Sequence, residues 1–357
     1  MKEPSSPTAA STALCFGALA LRPNGAGVAT YQRELLPRLA ELLPGTALSA
    51  LVQADAVPVL PPGVTARARP VAAGARRAWH GFAPLRAVEV FHGLDVDVPL
   101  VGPRASVSTV HDLSVFDVPW AFSRFRARGE RLLVRGALRR ADLLIAVSEF
   151  TAERIADRFG REAVVVPLAP AAWARVPDAA AVERVRTRFA LPERFVLQVG
   201  TVEPRKQVAL LAEVARALDV PLVLAGAGSD GPDAPAGAHG LGYVDLADLP
   251  ALYAAATVVA YCSQYEGFGL PPVEAMACGG AVVASAVGAL PQVCGDGAVL
   301  VEPATTDAWA RALRPLLHDA AANRELRERG LIAMAKLSWQ ATAEATVAAY
   351  RTAGLLP

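Results

Sequence analysis

The chain has 357 residues, 53% apolar and 19% charged, which excludes a disordered chain and suits two globular domains of about 150 residues each. A formal net charge of +1 argues against nucleic acid as partner, and no segment approaches the roughly 20 uninterrupted apolar residues of a membrane-spanning helix. Residues 1–170 hold 20 Lys and Arg against 15 Asp and Glu, the remainder 15 against 19, a mild basic excess that suits a first half facing an anionic acceptor or a membrane surface.

The first apolar run, residues 13–21, is short and precedes a glycine loop that opens a helix, so it reads as a buried strand and not as a leader peptide. Runs rich in Val, Leu and Ala follow at 47–52, 88–91, 106–110, 143–147 and 163–166, with helix-like segments between several of them. Continuous apolar strands alternating with helices predict a parallel sheet covered on both faces. The alternation restarts at 195–199, 221–225, 257–261, 281–284 and 298–301. The expected fold is therefore α/β, two doubly wound Rossmann-like domains with a cleft between them. The expected division is 1–168, 169–340 and a C-terminal helix, 341–357, packing back on the first domain, with the Pro-containing stretch 167–192 as the hinge. Cys15, Cys262, Cys278 and Cys294 show neither a C-x-x-C pair nor zinc-ligand spacing, so a reducing cytoplasm and no metal site are expected.

Chemistry concentrates in EGFGLPPVEAMACGG, residues 266–280. Pro271 and Pro272 fit the first positions of a helix and Gly279 and Gly280 its stop, which puts Glu266 in a loop and Glu274 in the first turn. Gly267 and Gly269 let backbone approach a ligand, and the N–H groups of the helix start can receive an anion. Glu274 has a second reading, as a complement to the helix dipole. Upstream, Arg205 and Lys206 are adjacent cations after a buried strand and Gly200. They read either as a solvated pair or as groups aimed at a leaving phosphate. Asn24, Gly25, Gly27 and Tyr31 form a glycine-rich turn after the first strand, without G-x-G-x-x-G spacing. His111 and Asp112 end a strand at the same crevice edge, where the histidine is equally a structural hydrogen-bonding residue. Arg124, Arg128, Arg131, Arg135 and Arg139 fall on one helical stripe, with Phe122, Phe125, Leu132, Leu133 and Ala137 expected opposite. That stripe is a solvated face or a contact for anionic lipid or a phosphate-bearing acceptor, with Arg67, Arg69, Arg76, Arg77 and Trp79 as candidates to extend it.

These segments together resemble the family-4 retaining glycosyltransferases, glycosyl transferases group 1, whose E-x7-E motif Glu266 and Glu274 match. GTVEPRKQ (200–207) resembles the phosphate-binding segment of that family, and residues 242–285 its donor-site core. NGAGVATYQRELL (24–36), FHGLDVDVPL (91–100), STVHDLS (108–114) and ADLLIAVSEFTAERI (141–155) follow in the family's order. The resemblance covers nearly the whole chain, leans toward mannosyltransferase-like members, and implies the GT-B fold. It implies transfer of a hexose from a nucleoside-diphosphate sugar (GDP-mannose or a UDP-sugar) to a hydroxyl of a glycan, lipid-linked sugar or natural product, with retention. It assigns Glu274 to the ribose, and Glu266 with the backbone of Phe268, Gly269 and Leu270 to the donor sugar and phosphates. Tyr243 and Val244 fall to the base, with strand-end packing as the other reading, and His111 to the donor sugar. Gly27 gives the donor phosphate and the acceptor close access to backbone, and Asn24, Tyr31 and Asp112 lie on the acceptor side. Same-face attack is implied, with the departing diphosphate oxygen taking the acceptor proton while Arg205 and Lys206 offset its charge. No cofactor beyond the sugar nucleotide and no metal is implied, and the expected location is cytoplasmic, with contact at the inner membrane face open. Gln207, Ala281 and Gln292 depart from the family's usual Asn, Pro and Glu. The rival readings are a GT-B epimerase or phosphorylase and a non-enzymatic two-domain sugar-binding protein.

Overall fold

The structure is a computed structural model that describes residues 13–23, 25 and 27–356; Asn24, expected on the acceptor side, lies outside them. Seven short strands come first: β1 (Ala13–Gly17), β2 (Ala47–Gln53), β3 (Val64–Arg69), β4 (Val90–Gly93), β5 (Ala105–Val110), β6 (Leu143–Ala146) and β7 (Val164–Val165). Six more follow: β8 (Val196–Val199), β9 (Leu222–Ala225), β10 (His239–Gly240), β11 (Val258–Tyr261), β12 (Val282–Ser285) and β13 (Val299–Val301). The sheets run β3-β2-β1-β4-β5-β6-β7 and β10-β9-β8-β11-β12-β13. The pairs from β3 to β5 in the first sheet and all those of the second are parallel. Both orders reverse beside their first strand, between β1 and β4 and between β8 and β11. In a doubly wound sheet that switch point opens a crevice at the carboxyl ends of the strands.

Burial explains most of this pattern. β4, β9, β11 and β12 are buried at every position, as strands covered on both faces must be. β3 is the exception and the sequence reading missed it. Only Val64 of this edge strand is buried, the rest being exposed or half-buried, with Arg67 donating from Nε to Ser49 Oγ at 3.1 Å. Arg67 and Arg69, candidates for a basic patch, thus belong to an edge strand, where charge blunts unwanted pairing.

The chain divides into two compact units that do not follow a single cut near residue 168. One comprises Met1–Val110, Leu132–Ile145 and Ala343–Pro357; the other His111–Arg131 and Ala146–Thr342. The expected hinge stretch holds a helix, Ala179–Arg188, whose Asp178 cap accepts from the Ala181 amide at 2.6 Å. The arginine-rich helix is Arg124–Arg140; of the residues expected opposite the arginines Ala137 is buried, but Phe125 and Leu132 are not. Phe125 and Leu132 are 92% and 62% exposed and share a face with Arg128, Arg135 and Arg139. The buried face is Ala127, Val134, Ala137 and Leu138, four small or medium side chains that suffice to seat the helix.

Candidate active site

In the second unit the loops that leave β8 and β11 at their carboxyl ends carry the predicted cations and the predicted carboxylate. β8 runs into Gly200 at φ 139°, a conformation open to glycine, and a side chain at neighbouring Gly226 would strike the Gly200 carbonyl at 2.4 Å. The chain then closes a short 3-10 turn, Pro204–Lys206, and Gln207 in the left-handed region (φ 43°) starts the helix Val208–Ala217. β11 ends at Tyr261 and passes through Ser263 to Tyr265 and Glu266.

These loops meet at one carboxylate oxygen. Glu266 Oε1 accepts from Arg205 Nη1 at 2.8 Å, the Tyr261 hydroxyl at 3.0 Å and the Ser263 hydroxyl at 2.8 Å, with Lys206 Nζ at 3.4 Å. Arg205 also binds Glu203 through Nη2 at 2.7 Å and the Tyr265 carbonyl through Nη1 at 3.0 Å. Lys206 is 5% exposed; its ammonium donates to the Tyr261 hydroxyl and lies over that ring, 4.3 Å from the centroid. Burial pushes the Lys206 pKa down, against the pull of Glu266. For Glu266 burial works toward a higher value, but Lys206 and Arg205 outweigh it and hold the carboxyl below its ordinary range. Arg205 likewise rises despite burial, through Glu266 and Glu203. Burial and the Glu266 charge keep Tyr261 a neutral phenol. The result is a buried, ionised cluster with every charge paired, the only form in which such a cluster is tolerable.

Around it the structure gathers several further predicted residues. A side chain at Gly267 would lie 2.0 Å from the His111 carbonyl and 2.7 Å from Asp112 Cβ, so glycine lets the Glu266 loop rest on the His111–Asp112 segment. Asp112 Oδ1 accepts from the Ser114 amide at 2.8 Å and its hydroxyl at 2.6 Å, and its charge reaches Arg205. Gly269 (φ 97°) begins the helix Leu270–Ala277, and a side chain there would hit Leu290 at 2.4 Å. Pro271 and Pro272 have no N–H and that of Val273 bonds Gly269. Of the first four helix positions only Leu270 therefore retains an N–H for an anion. Glu274 is the fifth helical residue, one past the first turn where it was expected, and it is buried. Its charge is felt by Tyr253 and Cys278, which weakens the dipole reading. Phe268 and Val244 are buried, whereas Tyr243 is 58% exposed. Among the described residues no group of three His, Cys, Asp or Glu is placed to hold a metal ion.

In the first unit Gly27 (φ 60°) opens the helix Val28–Leu42, with empty space where its Cβ would be. Tyr31 was expected to face an acceptor, but it is fully buried. Its hydroxyl is 3.0 Å from Thr109 Oγ1, which is 2.8 Å from His92 Nε2, and His92 Nδ1 is 2.5 Å from the Tyr350 hydroxyl. Tyr31 thus belongs to a core hydrogen-bond chain tying the C-terminal helix Trp339–Thr352 to the sheet. The sequence reading missed that chain and, in the second unit, Tyr261, Ser263, Tyr265 and Asp117. Their only signal was position next to the Glu266 motif or the His111 strand end.

Comparison with known proteins identifies the family to which this fold belongs. Residues 26–169 match Glycosyltransferase Family 4 and residues 181–331 match Glycosyl transferases group 1. The chain belongs to the family-4, group 1 glycosyltransferases and is a transferase of GT-B fold. It is 32% identical over 282 residues to the O-antigen chain mannosyltransferase B of Escherichia coli, covering 73% of this chain and 74% of that protein. The serotype-specific mannosyltransferase WbdA of Escherichia coli is 30% identical over 58% of this chain, which spans 28% of that longer protein. Among solved structures, sucrose-phosphate synthase from Thermosynechococcus elongatus superposes with TM-score 0.73 at 24% identity, over 96% of this chain and 98% of its own. Anabaena HepE, solved with UDP and glucose, gives TM-score 0.70 at 18% identity, over 96% and 100%. No helix among the described residues is long and apolar enough to cross a membrane.

Proposed function

We propose that the chain transfers a hexosyl group, with retention and without a resident metal, from a nucleoside-diphosphate sugar to a hydroxyl acceptor. The observation that carries this reading is the buried Arg205–Lys206–Glu266 cluster at the switch point of the second sheet. When the glycosidic bond breaks, negative charge grows on the diphosphate oxygen. Cations fixed there in advance, in a water-poor site, favour that state over the ground state. Arg205 and Lys206 retain N–H groups beyond those already bound, and these serve the diphosphate while Glu266 keeps both side chains ionised and aimed. The departing oxygen takes the proton of the attacking hydroxyl on the same face of the sugar. His111 contacts the donor sugar, Glu274 the ribose, and Tyr243 with Val244 the base. Asp112 lies on the acceptor side. Mannose is the first hexose to test, given the names of the relatives.

The test is a thermal-shift panel of GDP, UDP, ADP and their sugar conjugates on wild type and Glu274→Ala, since a ligand of the native state must raise its melting temperature. A shift with one nucleotide, lost in the variant, selects the donor for a transfer assay in which NMR reads the anomeric configuration of the product. No shift with any nucleotide overturns the assignment. A second reading concerns location. On the helix Arg124–Arg140, exposed Phe125 and Leu132 among arginines suit a peripheral contact with an anionic bilayer, where the apolar side chains enter the interface and the cations meet lipid phosphate. Co-sedimentation with vesicles containing anionic lipid, abolished by Phe125→Ala and Arg128→Ala together, is the expected result; equal recovery with neutral vesicles contradicts it.

A further inference from the structure

The helix Glu149–Phe159 carries no group predicted to touch a substrate, yet the residues on either side of Glu266, Tyr265 and Gly267, are fastened by it. Its cap Ser148 and its residue Thr151 donate their hydroxyls to the Gly267 carbonyl at 2.5 and 3.2 Å. Phe150 packs edge-on against the Tyr265 ring, centroids 5.4 Å apart. One turn on, Arg154 binds Asp117 in a fork, Nε to Oδ2 and Nη2 to Oδ1, both at 3.0 Å, and Arg158 Nε adds a contact to Oδ1 at 2.6 Å. Asp117 in turn accepts the Tyr265 hydroxyl at 3.0 Å. All these residues belong to one compact unit.

We propose that Asp117 is a positioning residue for Glu266. Gripped by Arg154 and Arg158, it fixes the Tyr265 hydroxyl and so the backbone that carries the Glu266 carboxylate, while Ser148 and Thr151 fix the other side through Gly267. The geometry suits the task because the two attachments flank Glu266 in sequence and leave its side chain to the cations. A forked arginine–carboxylate pair is directional, so Asp117 cannot swing without breaking parallel bonds. Burial opposes ionisation of Asp117, but the hydrogen bonds from Arg154, Tyr265 and Arg158 outweigh it and keep the carboxyl below its ordinary range. The arrangement therefore stays charged at neutral pH. Glu266 matters to catalysis only if the proposed sugar transfer is right, and the inference rests on that reading for its kinetic consequence.

Tyr265→Phe isolates the link, since it deletes one hydroxyl and keeps both the ring contact with Phe150 and the Asp117–arginine fork. Hydrogen exchange of amides 264–268 in the full chain is expected to quicken about tenfold, the equivalent of one lost hydrogen bond. With the donor found by the nucleotide panel, kcat is expected to fall about tenfold while nucleotide affinity changes less than about twofold. Asp117→Asn, which keeps one accepting oxygen, is expected to fall between the variant and wild type in both measurements. Unchanged exchange in Tyr265→Phe overturns the proposal. So does a loss of kcat that merely parallels lost nucleotide affinity and melting temperature, the mark of a purely structural residue. If wild type binds no nucleoside diphosphate and transfers no sugar, the proposed reaction fails instead, and the exchange measurement still decides whether Asp117 positions the loop.

Discussion

In the first unit, Tyr31, Thr109, His92 and Tyr350 form a buried chain of hydrogen bonds through hydroxyl and imidazole groups. The second unit buries an equally compact polar group, but there Arg205 and Lys206 converge with Tyr261 and Ser263 on Glu266 Oε1. A neutral chain needs only mutual satisfaction to be stable in a core, and its natural result is a fixed helix against a sheet. A charged cluster is dearer to bury, and apolar side chains of equal volume would often stabilise as well. On the proposed reaction the first network is architecture and the second chemistry, although the glycine-rich motif alone had suggested an acceptor contact for Tyr31.

The sharpest way to break that contrast is to remove the one anion on which the second cluster converges. Glu266→Ala leaves Lys206 buried beside Arg205 without their shared carboxylate, and a loss of about 3–5 kcal/mol is expected in urea unfolding. Transfer is expected to fall to background. A nucleoside diphosphate is expected to raise the melting temperature of this variant more than that of wild type, because it replaces the missing charge; an equal shift counts against the cations as the diphosphate site. The pH dependence follows from the same residues. Glu266 and Asp117 have depressed values in the folded chain, so the unfolded chain binds protons first as pH falls. Their stabilisation is complete above the ordinary carboxylate range and is lost as pH drops through the depressed values. Lys206 acts in the opposite range: its lowered value means that stability rises as pH climbs from that value toward the ordinary 10.5. Glu266→Gln is expected to flatten the acid limb, and an unchanged acid limb would place its origin elsewhere.

The neutral network gives a smaller effect of a different kind. Tyr350→Phe deletes the hydroxyl beside His92 Nδ1 and is expected to cost about 1–2 kcal/mol, read by denaturant unfolding. Tyr31 and Tyr350 are both raised by burial, so they bear on the alkaline limb of stability and not on the acid one. Nucleotide affinity in the second unit is expected to stay within error of wild type. A large loss of affinity in Tyr350→Phe would erase the distinction between an architectural and a chemical network.

Much of this was legible in the amino-acid order alone. The apolar runs near 195–199 and 257–261 became β8 and β11 because buried parallel strands declare themselves by unbroken hydrophobicity. The restart of the pattern gave two sheets. β3 was hidden because an edge strand half-covered by arginine lacks that signal. Arg205, Lys206 and Glu266 were each singled out, and the structure brings them together. Their mutual pairing was not readable, since it depends on two loops some 60 residues apart meeting at a switch point. Tyr31 misled for a related reason: the helix that opens with the glycine turn buries Tyr31 on its inner face, and a motif does not state which way a side chain turns. The opposite-face assignment of Phe125 and Leu132 failed because helical spacing alone does not say which arc a neighbour covers; Ala127, Val134, Ala137 and Leu138 took the buried one.

Gln207 offers the mildest test and links the sequence departure to the site. The family usually has asparagine there, and the structure shows why the choice matters: Gln207 sits at φ 43°, ψ 37°, where most L residues are strained and asparagine is tolerated far better than longer side chains. The side chain gains little in return, a single contact from the Cys262 thiol to its carbonyl oxygen at 3.5 Å. Gln207→Asn is therefore expected to stabilise the chain by about 0.5 kcal/mol, seen as a small rise in melting temperature. Because Gln207 follows Lys206 directly and the Lys206 carbonyl accepts from Gln198 Nε2 at 3.2 Å, relief of strain at this turn leaves the cation anchored from the strand side. Nucleotide affinity should then be unchanged. If Gln207→Asn instead alters affinity several-fold, the strained turn itself sets the aim of Lys206, and the charged cluster depends on backbone conformation as much as on its ion pairs.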